Sequence, residues 1–176
     1  MYFVIHTTSG KEEELIERIK SKNYYQDNFD DCFVIKRIVQ KKYEGKWHEV
    51  IERLFPGYIF IETQNPKIIH TMLNEVEGYS KVVGFRDKDI IHYIPLSEIE
   101  EDYIKGLAGK NEDHTISLSE VEVLEGKKIR VISGALLGQE GIVKKVDLHK
   151  RIAEVEITFL NQPIIIHFGL DIIKRV

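Results

Sequence analysis

A chain of 176 residues, 43% hydrophobic and 31% charged with a net charge of −4, has room for one medium or two small soluble domains and is not a uniformly basic nucleic-acid coat. No apolar run approaches membrane-spanning length, and the opening Met1-Tyr2-Phe3-Val4-Ile5-His6 lacks the basic leader of a signal peptide. The single cysteine, Cys32, excludes an internal disulfide and the usual cysteine-rich zinc sites, and fits a reducing cytoplasm.

Tyr2 to Thr7 is rich in aromatic and β-branched residues and is predicted as a strand. Ser9-Gly10-Lys11-Glu12 has the spacing of a capping box, and Leu15, Ile16 and Ile19 form the apolar stripe of the helix it opens. Glu12, Glu13, Glu14 and Glu17 fall on its polar side and read as a solvated face that offsets the helix dipole. Asn23 to Asp31 is expected to be polar loop. Cys32 to Tyr43 and Trp47 to Leu54 form a hairpin around Glu44-Gly45.

Pro56-Gly57 signals a turn, and Tyr58 to Thr63 is the strand that leaves it. Alternation puts Ile59 and Ile61 on one face and Tyr58 and Phe60 on the other, so this strand has two apolar faces where one would satisfy a half-buried sheet. Asn65-Pro66 opens a helix buried through Ile68, Ile69, Met72 and Leu73. Lys81 to Phe85 reads as a strand. Ser97 and Glu100 cap a last helix with Ile99, Tyr103, Ile104 and Leu107 on its apolar side. This order predicts an α+β domain over 1–108, an antiparallel or mixed sheet with helices on one face. Residues 109–120 are polar and aperiodic and read as a linker. In 121–176 five short extended runs separated by turn residues predict a small all-β barrel, and this segment alone is net positive.

Catalytic motifs are lacking: there is no phosphate-binding loop, dinucleotide fingerprint or nucleophile elbow, and the seven histidines never fall at metal-ligand spacing. Cys32 reads as a core residue. A non-catalytic binding protein without cofactor or metal is expected.

Phe55-Pro56-Gly57-Tyr58-Ile59-Phe60-Ile61 resembles the signature strand of the NusG family of bacterial transcription elongation factors. Val4 to Glu12 is similar to that family's first strand and helix cap, and Ser133-Gly134-Ala135-Leu136-Leu137-Gly138-Gln139-Glu140-Gly141-Ile142-Val143 resembles its C-terminal KOW motif. The resemblance covers nearly the whole chain. It implies an NGN-type N-terminal domain followed by an SH3-like KOW barrel, in a cytoplasmic, monomeric factor that rides on RNA polymerase. Tyr58 and Phe60 would then stand open to solvent on a face that, with Phe55, docks on the clamp helices of the polymerase β′ subunit. His70-Thr71 resembles the pair with which the RfaH paralogues touch the β gate loop, although Met72-Leu73 departs from the hydroxyl run that follows there.

The acidic first helix argues against RfaH-like readout of a DNA element, while Lys36, Arg37, Lys41, Lys42 and Lys46 remain available to upstream DNA. Gly134-Ala135-Leu136 and Leu160-Asn161-Gln162 depart from the loops with which housekeeping members grip termination factor Rho or a ribosomal protein. Lys127, Lys128, Arg130, Lys144, Lys145, Lys150, Arg151, Lys174 and Arg175 instead resemble the basic KOW surface of the LoaP paralogues, which bind a leader-RNA hairpin. A specialised processive antiterminator is therefore the reading implied. A housekeeping member linking polymerase to Rho or the ribosome stays open, and so does a ribosome-associated KOW protein.

Overall fold

The computed structural model describes residues 1–76, 80–82, 84–87, 90–93, 95–108 and 112–175. The chain runs through β1 (Tyr2–Thr7), α1 (Glu12–Lys20), the short α2 (Tyr25–Asn28) and β2 (Asp31–Phe33). Next come β3 (Lys36–Tyr43), β4 (Lys46–Arg53), β5 (Tyr58–Glu62) and α3 (Lys67–Glu75). β6 (Ser80–Val82), β7 (Gly84–Asp87), β8 (Ile90–Tyr93) and α4 (Glu98–Ala108) follow. The rest is strand and turn: β9 (Thr115–Ile116), β10 (Ser119–Val123), β11 (Ile129–Val131), β12 (Val143–Asp147), β13 (Ile152–Phe159) and β14 (Gln162–Arg175). Two compact units result, Met1–Val34 with Phe55–Lys105, and Ile35–Leu54 with Gly106–Val176.

The first unit is built on a four-stranded sheet in the order β2-β5-β1-β6, with every pair antiparallel. Phe3, Ile5, Cys32, Ile59 and Ile61 line one face, where Leu15 and Ile19 of α1, Tyr25 of α2 and Ile69 and Met72 of α3 cover them. The stretch expected as polar loop contributes to this core, since the Tyr25 and Phe29 rings stack at 5.3 Å and are both buried. Burial pushes the Cys32 thiol up to about 12, so it stays protonated and inert. The capping box at Ser97 forms as predicted: Glu100 N–H donates to Ser97 Oγ, and the Glu100 carboxylate accepts from Ser97 N–H at 2.9 Å.

The opposite sheet face is the one that carries the second apolar set. Cross-strand partners Val4 and Phe60, Phe33 and Phe60, and Tyr2 and Glu62 share it. Helices do not all lie on one side, because α4 reaches this second face: Glu101 accepts from Tyr2 N–H at 3.2 Å and Lys105 Nζ sits 5.3 Å from the centre of the Tyr2 ring. Burial, helped by the Glu62 carboxylate, raises the Tyr2 hydroxyl to about 12. Ile104 is the fully buried residue of α4, whereas Ile99, expected on its apolar side, is 84% exposed.

In the second unit, β3 pairs antiparallel with β4 and parallel with β9. A curled five-stranded sheet follows in the order β11-β10-β14-β13-β12, antiparallel except for the β10–β14 pair. Val121, Val131, Ala153, Val155, Ile166, Phe168 and Leu170 are among its buried residues. The segment read as linker thus holds β9 and the start of β10, whose Ser119 is fully buried and accepts from Leu136 N–H through its hydroxyl. Gly134 lies at φ +95°, and a Cβ there would fall 2.6 Å from Ser119 Cα. Only glycine lets the loop approach β10 so closely. Leu136 plugs the sheet from that loop while its neighbour Leu137 is 57% exposed.

Candidate functional site

The Phe55–Tyr58 turn is tied to both β1 and the start of α1. Tyr58 N–H donates to the Phe55 carbonyl at 3.2 Å across Pro56 and Gly57, and Gly57 takes φ +81° as the third residue of a type II turn requires. Gly57 C=O accepts from Thr7 N–H of β1 at 2.8 Å. On its other side Gly57 N–H donates to Glu12 Oε1 at 2.7 Å, and Glu12 Oε2 accepts from Gly10 N–H at 2.6 Å. Glu12 is fully buried, contrary to the solvated face expected of it. Its carboxylate closes the first turn of α1 and holds the Pro-Gly turn at once, a position where the helix dipole favours negative charge. The hydroxyl half of the predicted capping box does not form, since α1 has no side-chain cap.

This stapled turn delivers Tyr58, Phe60 and Phe55 to different depths. Tyr58 is half-buried and meets the exposed His6 edge-on at 5.0 Å, its direct cross-strand partner. Phe60 is sealed, at 0% exposure, stacked on Phe33 at 5.7 Å and edge-on to Phe55 at 5.5 Å; Phe55 is itself 3% exposed. The expectation of an open aromatic face therefore needs correction: Phe55 and Phe60 form a buried aromatic floor with Phe33, and Tyr58 alone of the three reaches solvent. The physical reason is area, because each phenyl ring left in water forfeits a few kcal/mol that the chain recovers by packing them on one another (about 25 cal/mol per Å²). His70 and Thr71 are exposed on α3, where Asn74 Nδ2 approaches the His70 ring at 3.2 Å.

The described basic residues of the second unit divide among ion pairs and two separate hollows. Lys144 pairs with Glu156 at 3.2 Å, Lys145 with Glu154 at 3.7 Å and Arg130 with Glu122 at 3.3 Å. Lys128, Lys144 and Lys145 do converge, around a hollow of about 320 Å³ that Glu140 also lines. Lys150 belongs to a different hollow, with Lys41, Lys42 and Trp47 of the hairpin. Asp147 Oδ1 accepts from the backbone N–H groups of Lys150 and His149 at 2.9 and 3.0 Å, which fixes that turn and holds the Asp147 carboxyl below its usual range. Arg151 stacks over the Trp47 ring at 4.1 Å and donates to Gln40, so it serves the seam between β13 and the hairpin. Lys174 is exposed; the side chains of Lys127 and Arg175 lie outside the described residues.

The hairpin seam is also where pH acts. Arg37 donates to the His167 carbonyl at 2.5 Å and to Glu52 at 3.0 Å, and Lys41 reaches the same carboxylate at 2.6 Å. Burial and then the Arg37 charge depress the His167 pKa, while the Lys41 hydrogen bond chiefly lowers that of Glu52. As pH falls below about 6.5 the unfolded chain takes up the histidine proton before the folded one does, so stability held above that pH is lost on acidification. Glu52 adds a loss in the same direction at lower pH, below about 4.5. The unfolding midpoint is expected to drop between about pH 7.5 and 5.5, and His167→Gln to flatten that part of the profile in urea titrations.

Among the described residues no group of three or more His, Cys, Asp or Glu could hold a metal ion. None of the described helices is long and apolar enough to cross a membrane.

Comparison with known proteins agrees with this architecture. Residues 1–105 match the family model described as transcription termination factor nusG, and residues 125–158 match the KOW motif. The transcription termination/antitermination protein NusG of Thermus thermophilus is 27% identical over 173 residues, covering 92% of this chain and 90% of that protein. Its namesake in Streptococcus pyogenes is 28% identical over 156 residues, 85% of this chain and 82% of the other. A solved structure of Thermotoga maritima NusG, concerned with domain interaction, superposes with a TM-score of 0.51 at 23% identity, covering 96% of this chain and 93% of that one. At that identity the likeness speaks for the fold.

Proposed function

The chain belongs to the NusG family of non-enzymatic transcription termination/antitermination factors, and from that premise we propose that it is a specialised processive antiterminator in the cytoplasm. As a monomer it docks on the β′ clamp helices of RNA polymerase through the first unit and binds a structured leader RNA through the curled sheet of the second. In the docking half, Tyr58 with its neighbour His6 is the accessible contact, and the sealed Phe55–Phe60–Phe33 floor keeps that contact rigid. His70 and Thr71 are the proposed contacts to the β gate loop, supported by their exposure on α3.

The observation that carries the RNA half is the convergence of Lys128, Lys144 and Lys145 on one hollow. A phosphate backbone entering there would compete for Lys144 and Lys145 with their glutamate partners, and ion pairs of exposed lysines are worth only about 0–1 kcal/mol, so the exchange costs little. Structured RNA is recognised mainly through shape and backbone, which a rim of three ammonium groups can supply. Gel shifts of the full chain with a leader-RNA hairpin test the reading. Binding should weaken steeply with salt, and Lys128→Glu with Lys144→Glu should abolish it.

The housekeeping reading draws on a different observation, the exposed Leu137 and Ile132 at 57% and 42%, which suit a protein partner. Rho or ribosomal-protein binding without salt-sensitive RNA affinity would favour that reading over ours.

A further inference from the structure

We propose that the tip of the β3–β4 hairpin is a stacking platform for an unpaired base of a single-stranded nucleic acid. This site is separate from the hollow lined by Lys128, Lys144 and Lys145 and does not depend on the RNA reading made there. The Tyr43 and His48 rings lie parallel, 3.6 Å apart with 11° between their planes. Tyr43 is nonetheless 51% exposed, so one ring face rests on His48 and the other is open to water. The His48 Nε2 atom is buried without a hydrogen-bond partner, and the histidine spends its surface on holding the tyrosine ring flat.

Register places cations beside both rings. Tyr43 is opposite Lys46 and His48 is opposite Lys41, and cross-strand partners share a face. Lys46 is exposed, and Lys41 is 57% exposed although it also meets Glu52. Lys42, opposite Trp47, lies on the other face, so the platform face carries the two ammonium groups of Lys41 and Lys46, with Glu44 in the turn beside it. That turn is the two-residue kind with both residues left-handed, Glu44 at φ 51° and Gly45 at φ 75°, which matches strand twist and holds the platform before any ligand arrives.

An exposed π-face flanked by lysines is the composition with which proteins hold single strands: the ring stacks a base of any identity and the ammonium groups take the adjoining phosphates. A duplex hides its base faces in its own stack and can offer this tip only phosphates. The platform therefore discriminates by strandedness, beyond the charge-driven contact with duplex DNA that the hairpin lysines alone would give.

The test uses the full chain and oligonucleotides of about 12 residues carrying one central 2-aminopurine, in DNA and RNA versions, each single-stranded or annealed to its complement. Single strands should show saturable quenching of the reporter, with little from the duplexes. Tyr43→Ala should weaken single-strand binding roughly 5- to 150-fold while Tyr43→Phe keeps it. Lys46→Gln should reduce the salt dependence by roughly one phosphate contact. The DNA and RNA arms identify which strand is preferred. Binding by Tyr43→Ala within about twofold of the parent, or equal binding of duplex and single strand, overturns the proposal, as both lie outside the range expected of base stacking. Tyr43 is exposed at a hairpin tip, and an unchanged thermal melt of each variant establishes that the fold is intact.

Discussion

Phe60→Ala is expected to destabilise the first unit by about 3–5 kcal/mol, the range for emptying a buried phenylalanine site. The ring is fully buried, stacked on Phe33 and met edge-on by Phe55, with Val4 directly across the strand pair at 0% exposure. Nothing in that arrangement can collapse easily, because Val4, Phe33 and Phe60 belong to three adjacent strands whose spacing is set by backbone hydrogen bonds. Tyr58→Ala, two residues away on the same face, should leave the unfolding midpoint nearly unchanged, since its ring is half-buried at the solvent edge. It should instead weaken capture by a fragment carrying the β′ clamp helices. The two substitutions must be made separately, for a double variant would lose binding through unfolding and say nothing of the contact. Urea unfolding of each variant beside the binding measurement decides the matter: a Phe60→Ala protein as stable as the parent would mean that the aromatic floor carries little of the stability assigned to it.

Much of this division was legible in the sequence, and the part that was not has a physical reason. Period-two alternation in Tyr58-Ile59-Phe60-Ile61 correctly gave two apolar faces. Alternation cannot say what lies over a face, however, and here the second face is met by α4, whose Glu101 is distant in sequence from the Tyr2 it touches. Tyr25 and Phe29 were hidden because asparagines and aspartates surround them, which dilutes any helical period over so short an element. Ser119-Glu120-Val121-Glu122-Val123 alternates cleanly, yet the polar residues before it drew its first positions into the expected linker. Charge was the least legible property. The nine basic residues looked like one surface on paper, whereas cross-strand register gives Lys145 to Glu154 and the fold turns Arg151 toward Trp47. What sequence cannot weigh is which cations are already engaged, a matter of pairing geometry between strands.

Glu12→Ala is expected to cost about 2–4 kcal/mol, more than a surface glutamate ever could. The substitution removes both acceptors of the latch, leaving Gly57 N–H, in a buried turn, and Gly10 N–H without these bonds. An unmatched buried donor costs about 1–3 kcal/mol, and the lost negative charge at the start of α1 adds a smaller dipole contribution. Glu12→Gln should fall between, because its amide oxygen can satisfy one donor while its amino group opposes the other. The loss should also be local before it is global. Gly57 N–H is held by the Glu12 side chain and not by the sheet ladder, so its hydrogen exchange should accelerate well beyond that of the β1–β5 ladder amides in the same variant. Tyr58 follows directly on that amide, and a turn that opens more often presents its ring less of the time. Polymerase binding by Glu12→Ala should therefore fall further than the folded fraction does. Equal acceleration of exchange at Gly57 and throughout the ladder would mean that Glu12 stabilises the unit as a whole and does not govern the turn that carries Tyr58.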